Sequence, residues 1–324
     1  MKRINLDLPK VNIVTDFIYG KAIYKLPNSL KKKIKKIANI YEFNEKNIPT
    51  NKINIYWGTR IKNTDLNIYK NLSWILFGSV GTDKLSYSNL KDKKIKITNS
   101  KKTNSYSVAE LVIQFYLDTK KQILLTKNFS DRTNYEKNYR GIIYNKKENI
   151  LILGYGNITK KVIQILKQFN VKIDIYSSRN KQFKNKNIIS IKETKKKLKQ
   201  YDTIINILPN NLTNKNLLNN NFFLNAINLK NFISVGRKET INIEHLYYFV
   251  KKNKNKFFYL DAQLDNAYIK KFKRLKNMVI TPHIGGYYSK YWDDQFEIFK
   301  DNLLRYLNGK KLKNTVKIDR KNFK

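Results

Sequence analysis

Asn149-Ile150-Leu151-Ile152-Leu153-Gly154-Tyr155-Gly156-Asn157-Ile158-Thr159 is the stretch on which the fold of this chain turns. Ile150 to Leu153 read as a short strand buried on both faces, because all four side chains are apolar and none alternates with a polar one. Gly154 then permits a tight turn. The following residues place Val162, Ile163, Leu166 and Phe169 on one apolar helical face. Strand, glycine turn and amphipathic helix together predict a nucleotide site. Gly156 has no side chain to keep a pyrophosphate from the N–H groups that open the helix, with Tyr155, Asn157 and Ile158 beside it. A third glycine is usual at the position of Thr159, so strand and helix are expected to pack slightly farther apart.

The next strand is expected over Val171–Tyr176, closed by Ser177-Ser178-Arg179. In folds of this kind the residue closing that strand meets the adenosine ribose, and an acid there would repel a 2′-phosphate. Ser177, Ser178 and Arg179 instead offer hydroxyls and a guanidinium suited to a phosphate, which slightly favours NADP over NAD. The competing acid, Asp174, falls before the end of the strand. A solvated Ser-Ser-Arg turn accounts for the same residues equally well.

Far downstream, Met278-Val279-Ile280 leads into Thr281-Pro282-His283-Ile284-Gly285-Gly286. The chain has only two histidines, and imidazole is the side chain best placed to exchange a proton near neutral pH. Pro282 restricts the backbone before the ring, and the two glycines are expected to leave space beside it for a ligand. Arg237, after the apolar segment Phe232–Val235, offers a bidentate fork for a carboxylate.

Composition sets the bounds. A chain of 324 residues can hold two domains with real cores. The absence of cysteine excludes disulfides and thiolate metal sites and fits a reducing, cytoplasmic setting; no metal site is expected. No run approaches the length of a membrane span. The formal charge of +42 comes from lysines scattered over loops and helix faces among abundant Asn and Ile. No helix-turn-helix, zinc or RNA-recognition signature accompanies them, so no specific nucleic-acid partner is expected.

Taken in order, the motifs resemble the D-isomer-specific 2-hydroxyacid dehydrogenase family over most of the chain. Trp74–Leu85 resembles its substrate-side glycine loop, and Lys94–Leu111 the strand, loop and long helix entering the cofactor domain. Asp202–Leu218 resembles the strand ending in Leu208-Pro209, and Ile233–Ile241 the turn of Val235, Gly236 and the catalytic arginine. Leu260-Asp261, Thr281–Gly286 and the tail Asn302–Val316 complete the set.

The resemblance implies an α/β protein of two doubly wound parallel-sheet domains. A Rossmann-type NAD(P) domain, residues 101–286, would be inserted into a flavodoxin-like substrate domain of residues 1–100 plus 287–324. It implies hydride transfer between a nicotinamide cofactor and a small 2-keto or 2-hydroxy acid. Arg237 would bind the substrate, His283 would act as general acid and base, and Asp261 would hold the nicotinamide carboxamide. Backbone N–H groups of Gly78, Ser79, Val80 and Gly81 would hold the substrate carboxylate, with Trp57, Arg60, Tyr287 and Tyr288 as further pocket candidates. The glutamate that the family pairs with its histidine is replaced by Asn266, with Asp265 as the nearest acid, so either residue could face the ring. Lys238 stands where the family has a glycine. The apolar helix Ser107–Leu117 suggests a homodimer seam, a buried core helix being the other explanation. The missing glutamate also keeps open a second function: a cofactor-sensing binding protein with weakened catalysis.

Overall fold

The computed structural model describes residues 10–19, 22–59, 61, 67–81, 94–101, 103–121, 123, 147–178 and 187–316. Arg60 and Arg179 lie outside the described residues. The chain divides into two compact units, one ending at Thr103 and resuming at Tyr288, the other spanning Asn104–Tyr287.

The first unit is built on short strands whose two faces are both covered. They are β1 (Asn12–Tyr19), β2 (Ala22–Tyr24), β3 (Asn39–Glu42), β4 (Ile55–Gly58), β5 (Trp74–Phe77) and β6 (Lys96–Asn99), with helix α1 (Asn28–Lys35) between β2 and β3. The parallel order is β3-β1-β4-β5-β6, and β2 pairs antiparallel with the end of β1. That is the flavodoxin-like order. Strand alternation sorts the side chains: Ile13, Ile55, Trp57, Trp74 and Leu76 pack on one face against Leu30, Ile34, Phe299 and Leu303. Val14, Tyr56, Ile75, Phe77 and Ile97 pack on the other. Trp57 is therefore a core residue and lines no pocket: it is 0% exposed, its ring stacked on Phe299 with centroids 4.2 Å apart.

The second unit opens with α2 (Ser105–Lys121) and continues through β7 (Glu148–Leu153), α3 (Asn157–Leu166), β8 (Val171–Tyr176), β9 (Ile188–Ile189) and α4 (Ile191–Lys197). It closes with β10 (Thr203–Asn206), α5 (Asn220–Asn225), β11 (Asn231–Ser234), α6 (Ile243–Lys252), β12 (Phe257–Asp261), α7 (Asn266–Lys273) and β13 (Met278–Thr281). The chain then returns to the first unit through α8 (Tyr291–Leu307). All seven strands are parallel in the order β9-β8-β7-β10-β11-β12-β13, so the winding reverses between β7 and β10. The expected fold class is found in both units.

The amphipathic helix behind the glycine turn is present. Val162 and Leu166 are fully buried on α3, with Ile163 and Phe169 packed at the edge of the same core. Burying two such side chains stabilises this contact by ~1.5–3 kcal/mol each. In α2, Val108, Ala109, Leu111, Val112, Phe115 and Tyr116 all enter the core of their own unit. Tyr106, Glu110, Gln114, Leu117 and Lys121 form the exposed face. The apolar excess of this helix is thus taken up internally. Among the described residues no helix is long and apolar enough to cross a membrane, and no cluster of His, Cys, Asp and Glu could hold a metal ion.

Candidate active site

Gly154 leaves β7 with φ +105°, a conformation open to glycine and strained for any L side chain. A Cβ there would lie 3.0 Å from the Ile207 carbonyl oxygen. Gly156 differs: a Cβ on it would meet nothing within 4 Å. It is the N-cap residue of α3, without a side-chain cap, and the N–H groups of Gly156, Asn157 and Ile158 have no acceptor among the described residues. Open space and unpartnered donors at the switch point fit a dinucleotide pyrophosphate. Thr159 occupies the third glycine position at 0% exposure, and its hydroxyl donates to the Gly154 carbonyl at 2.8 Å. The larger residue thus braces the turn.

At the end of β8, Ser177 is buried and Ser178 exposed. Asp174 is drawn away from this edge: its Oδ2 accepts from the Tyr201 hydroxyl at 2.8 Å, with the Lys197 ammonium 3.8 Å away. Burial, and then the Asp174 carboxylate, push the Tyr201 phenol well above its ordinary range.

The ends of β10 and β11 are locked together by Asn206, a buried residue the sequence reading passed over. Its side-chain amide donates to Ser234 and Thr240 at 3.0 Å each, and its Oδ1 accepts the Leu208 N–H at 3.2 Å. Its carbonyl accepts from both Val235 and Gly236. A Cβ on Gly236 would come within 2.9 Å of the Leu208 main chain, so only glycine lets Leu208-Pro209 and Val235-Gly236 run this close. Arg237 follows, half-buried, with its N–H on the Leu208 carbonyl at 3.0 Å and its own carbonyl held by Thr240. Lys238, in place of the family glycine, has no positive φ, so the exchange adds no backbone strain.

His283 is exposed, and its φ of +61° is a left-handed conformation unusual for a non-glycine residue. The turn around it is clamped from two sides. Asp261, at the end of β12, accepts from the Thr281 hydroxyl and the Ile284 N–H at 2.7 Å each, and from the Gly285 N–H at 2.8 Å. Ser107 on α2 reaches the carbonyls of Gly285 and Tyr287 at 2.8 and 2.7 Å. Two expectations change here. The Asp261 carboxylate, expected to face a cofactor, is directed into the protein with Oδ1 already filled. The space beside Gly285 and Gly286 is occupied by Asp261, Leu111 and Asn104 and is not open to a ligand.

Asp265 is the N-cap residue of α7 and Asn266 its first helical residue; both side chains are exposed, and neither is hydrogen-bonded to His283. The other histidine, His245, accepts the Asn220 N–H on Nδ1 at 3.1 Å at the start of α5.

In the first unit, Gly78 does not contribute its N–H to a cradle. That group donates to the Gly58 carbonyl at 2.8 Å and so extends the sheet, while a Cβ on Gly78 would strike Phe17 at 2.6 Å. The N–H groups of Ser79, Val80 and Gly81 have no acceptor among the described residues. The expected four-residue strip is therefore one of three. Tyr287 is exposed, and the Tyr288 hydroxyl donates to Asp294 at 3.0 Å.

A parallel sheet reversing at β7, with a glycine turn and an open helix terminus at that point, defines a dinucleotide-binding fold. A family model described as the NAD binding domain of D-isomer specific 2-hydroxyacid dehydrogenases matches residues 113–285, and the chain belongs to that family. D-3-phosphoglycerate dehydrogenase of Haemophilus influenzae is 24% identical over 216 residues, which cover 64% of this chain and 52%, about half, of that protein. Among solved structures, a 2-hydroxyacid dehydrogenase from Ketogulonicigenium vulgare aligns with a TM-score of 0.77 at 15% identity, covering 97% of this chain and 100% of that one. An NADPH-dependent glyoxylate/hydroxypyruvate reductase from Sinorhizobium meliloti, in complex with NADP and malonate, gives a TM-score of 0.78 at 14% identity, covering 95% and 97%.

Proposed function

We propose that this protein is an NAD(P)-dependent oxidoreductase that interconverts a small 2-keto acid and the corresponding 2-hydroxy acid. The observation that carries the reading is positional. Gly154, Ser177, Leu208, Arg237, Asp261 and His283 all lie at or just beyond the carboxyl ends of strands in one parallel sheet, the edge where such folds bind ligands. Gly154, Gly156, Asn157 and Ile158 would hold the pyrophosphate; Tyr155, Ser177, Ser178 and Arg179 would flank the adenosine; Leu208, Pro209, Val235 and Gly236 would border the rest of the dinucleotide.

A bound nicotinamide dinucleotide supplies or accepts the hydride. Arg237 neutralises the substrate carboxylate and polarises the carbonyl. In the reductive direction His283 donates a proton to the carbonyl oxygen, and in oxidation it takes that proton back. The N–H groups of Ser79, Val80 and Gly81 bind the carboxylate oxygens.

The test is a cofactor-oxidation screen over 2-keto acids with NADH and NADPH, run on wild type, Arg237→Ala and His283→Ala. Both variants should lose most turnover and retain dinucleotide affinity. Reduction at wild-type rate by His283→Ala would overturn the mechanism. The replacement of the family glutamate by Asn266 favours a second reading, a dinucleotide-sensing binding protein. Tight cofactor binding by wild type with no turnover of any keto acid would select it.

A further inference from the structure

Residues 77–81 have a one-sided hydrogen-bond pattern, and its cause lies in side chains to which no role has been given above. The Phe77 carbonyl accepts from the Ser100 hydroxyl at 2.8 Å and the Gly78 carbonyl from the Tyr291 hydroxyl at 2.7 Å. The Ser79 carbonyl accepts the Ser100 N–H at 3.2 Å, and the Val80 carbonyl the side-chain amide of Asn99 at 2.7 Å. The Gly81 carbonyl accepts from the Ser79 hydroxyl at 2.6 Å. Five consecutive carbonyls are thus satisfied, while the three consecutive N–H groups of Ser79, Val80 and Gly81 have no acceptor among the described residues. Because each peptide plane fixes its N–H opposite its C=O, capturing the carbonyls sets the direction of the donors. Successive N–H groups held this way form an anion-binding strip.

We propose that Asn99 and Tyr291 are positioning residues that orient this strip for a substrate carboxylate. The proposal rests on the reading of residues 79–81 under the proposed function and adds what shapes them. Asn99 closes β6, where its own N–H is held by the Asn314 carbonyl at 3.1 Å, so its side chain can change without releasing the strand. Among the described residues its only side-chain hydrogen bond is the one to Val80. Tyr291 opens α8, whose long apolar face anchors it in the core independently of its hydroxyl.

The experiment uses oxalate, a dicarboxylate that cannot be reduced here, titrated calorimetrically into full-length protein saturated with dinucleotide. Asn99→Leu removes the donor at nearly constant volume, and Tyr291→Phe removes only the hydroxyl. Each should weaken oxalate by about tenfold, the equivalent of one hydrogen bond with its reorganisation. KM for keto acids should rise by a similar factor, with kcat changed less and dinucleotide affinity and unfolding midpoint unmoved. Wild-type oxalate affinity in both variants would overturn the positioning role and leave the proposed activity standing. Oxalate binding that the variants weaken, in a protein that reduces no keto acid, would uphold the strip and overturn the activity. Failure of wild type to bind oxalate would refute the strip, whatever the turnover.

Discussion

Asp261 and Gly285 meet at a separation that leaves no room for a side chain on the second residue. Asp261 Oδ2 accepts the Gly285 N–H at 2.8 Å, and a Cβ on Gly285 would stand 2.9 Å from the same oxygen. This contact, with those from Thr281 and Ile284, holds the turn in which His283 keeps its left-handed backbone. Such a conformation costs of order 1–3 kcal/mol and persists only where its surroundings impose it. Gly285→Ala should therefore destabilise the protein by about 1–3 kcal/mol through overpacking. Asp261→Asn should cost about 1.5–3 kcal/mol, because an amide cannot accept from all three donors. Urea unfolding measures both. Turnover should fall further than stability in either variant, since the histidine turn relaxes before the sheet does.

Gly154 and Gly156 separate backbone demand from ligand demand. Gly154→Ala puts a Cβ at φ +105° against the Ile207 carbonyl and should lower stability by about 1–2 kcal/mol. Gly156 is extended and unobstructed, so Gly156→Ala should leave stability within about 0.5 kcal/mol of wild type. It should weaken dinucleotide binding by about tenfold, roughly the loss of one charged hydrogen bond. Thermal unfolding and cofactor titration on the two variants should thus move in opposite orders.

NADPH should bind no worse than NADH. The acid of β8, Asp174, is engaged by Tyr201 and Lys197 before the strand ends, which leaves Ser177 and Ser178 at the edge where a 2′-phosphate would lie. Fluorescence titration of both cofactors checks this. A strong preference for NADH would show that another group supplies the missing carboxylate.

The parts of the site legible in the sequence are those whose residues are near neighbours in it. Strand, Gly154 turn and α3 follow from one contiguous run, Asn149 to Phe169, because apolar burial and glycine conformation leave a local pattern. The clamp on His283 leaves none. Asp261 lies 24 residues from Gly285, and Ser107 lies 178 residues from it, so neither partner could be read from spacing. Asn206 did carry a signal, a lone amide at the end of the buried strand Thr203–Asn206, where a polar side chain needs partners. Trp57, a pocket candidate in the sequence, belongs to the core. Alternation along β4 sets it on the same face as Ile55, against α8. The strip at 79–81 lost Gly78 because sheet pairing with Gly58 is a tertiary contact.

Stability should fall steeply at alkaline pH, with Tyr259 as one identifiable cause. Its ring is fully buried and its hydroxyl donates to Asp118 at 2.9 Å. Burial, and then the Asp118 carboxylate, push the phenol far above its ordinary value. Below about pH 10 the phenol is protonated in both folded and unfolded chains, so its contribution is complete. As pH rises further only the unfolded chain ionises it, and about 1.4 kcal/mol is lost per pH unit. The buried Lys120, with its pKa lowered by desolvation, acts in the opposite sense, favouring the folded state as pH rises towards the ordinary lysine value. Tyr259→Phe should remove one proton from the slope of unfolding free energy against pH above about 10. An unchanged slope would mean that other phenols, Tyr201 first, govern it.

Neither Asp265 nor Asn266 should tune His283. Asp265 occupies the N-cap position of α7, exposed and without a side-chain cap hydrogen bond, Asn266 begins the helix, and neither side chain is hydrogen-bonded to the ring. A carboxylate keeps an imidazole protonated only by direct attraction at short range, an effect that solvent and salt screen at an exposed site. Asp265→Asn is a clean probe, because the Asp265 side chain makes no cap hydrogen bond and the helix should be unaffected. The variant should leave the basic limb of the pH–rate profile within about 0.3 unit of wild type. Asn266→Glu should do the same. A downward shift of the limb in Asp265→Asn would show that this acid serves the histidine after all. An upward shift in Asn266→Glu would show that the helix start faces the ring and that restoring the family's glutamate restores its effect.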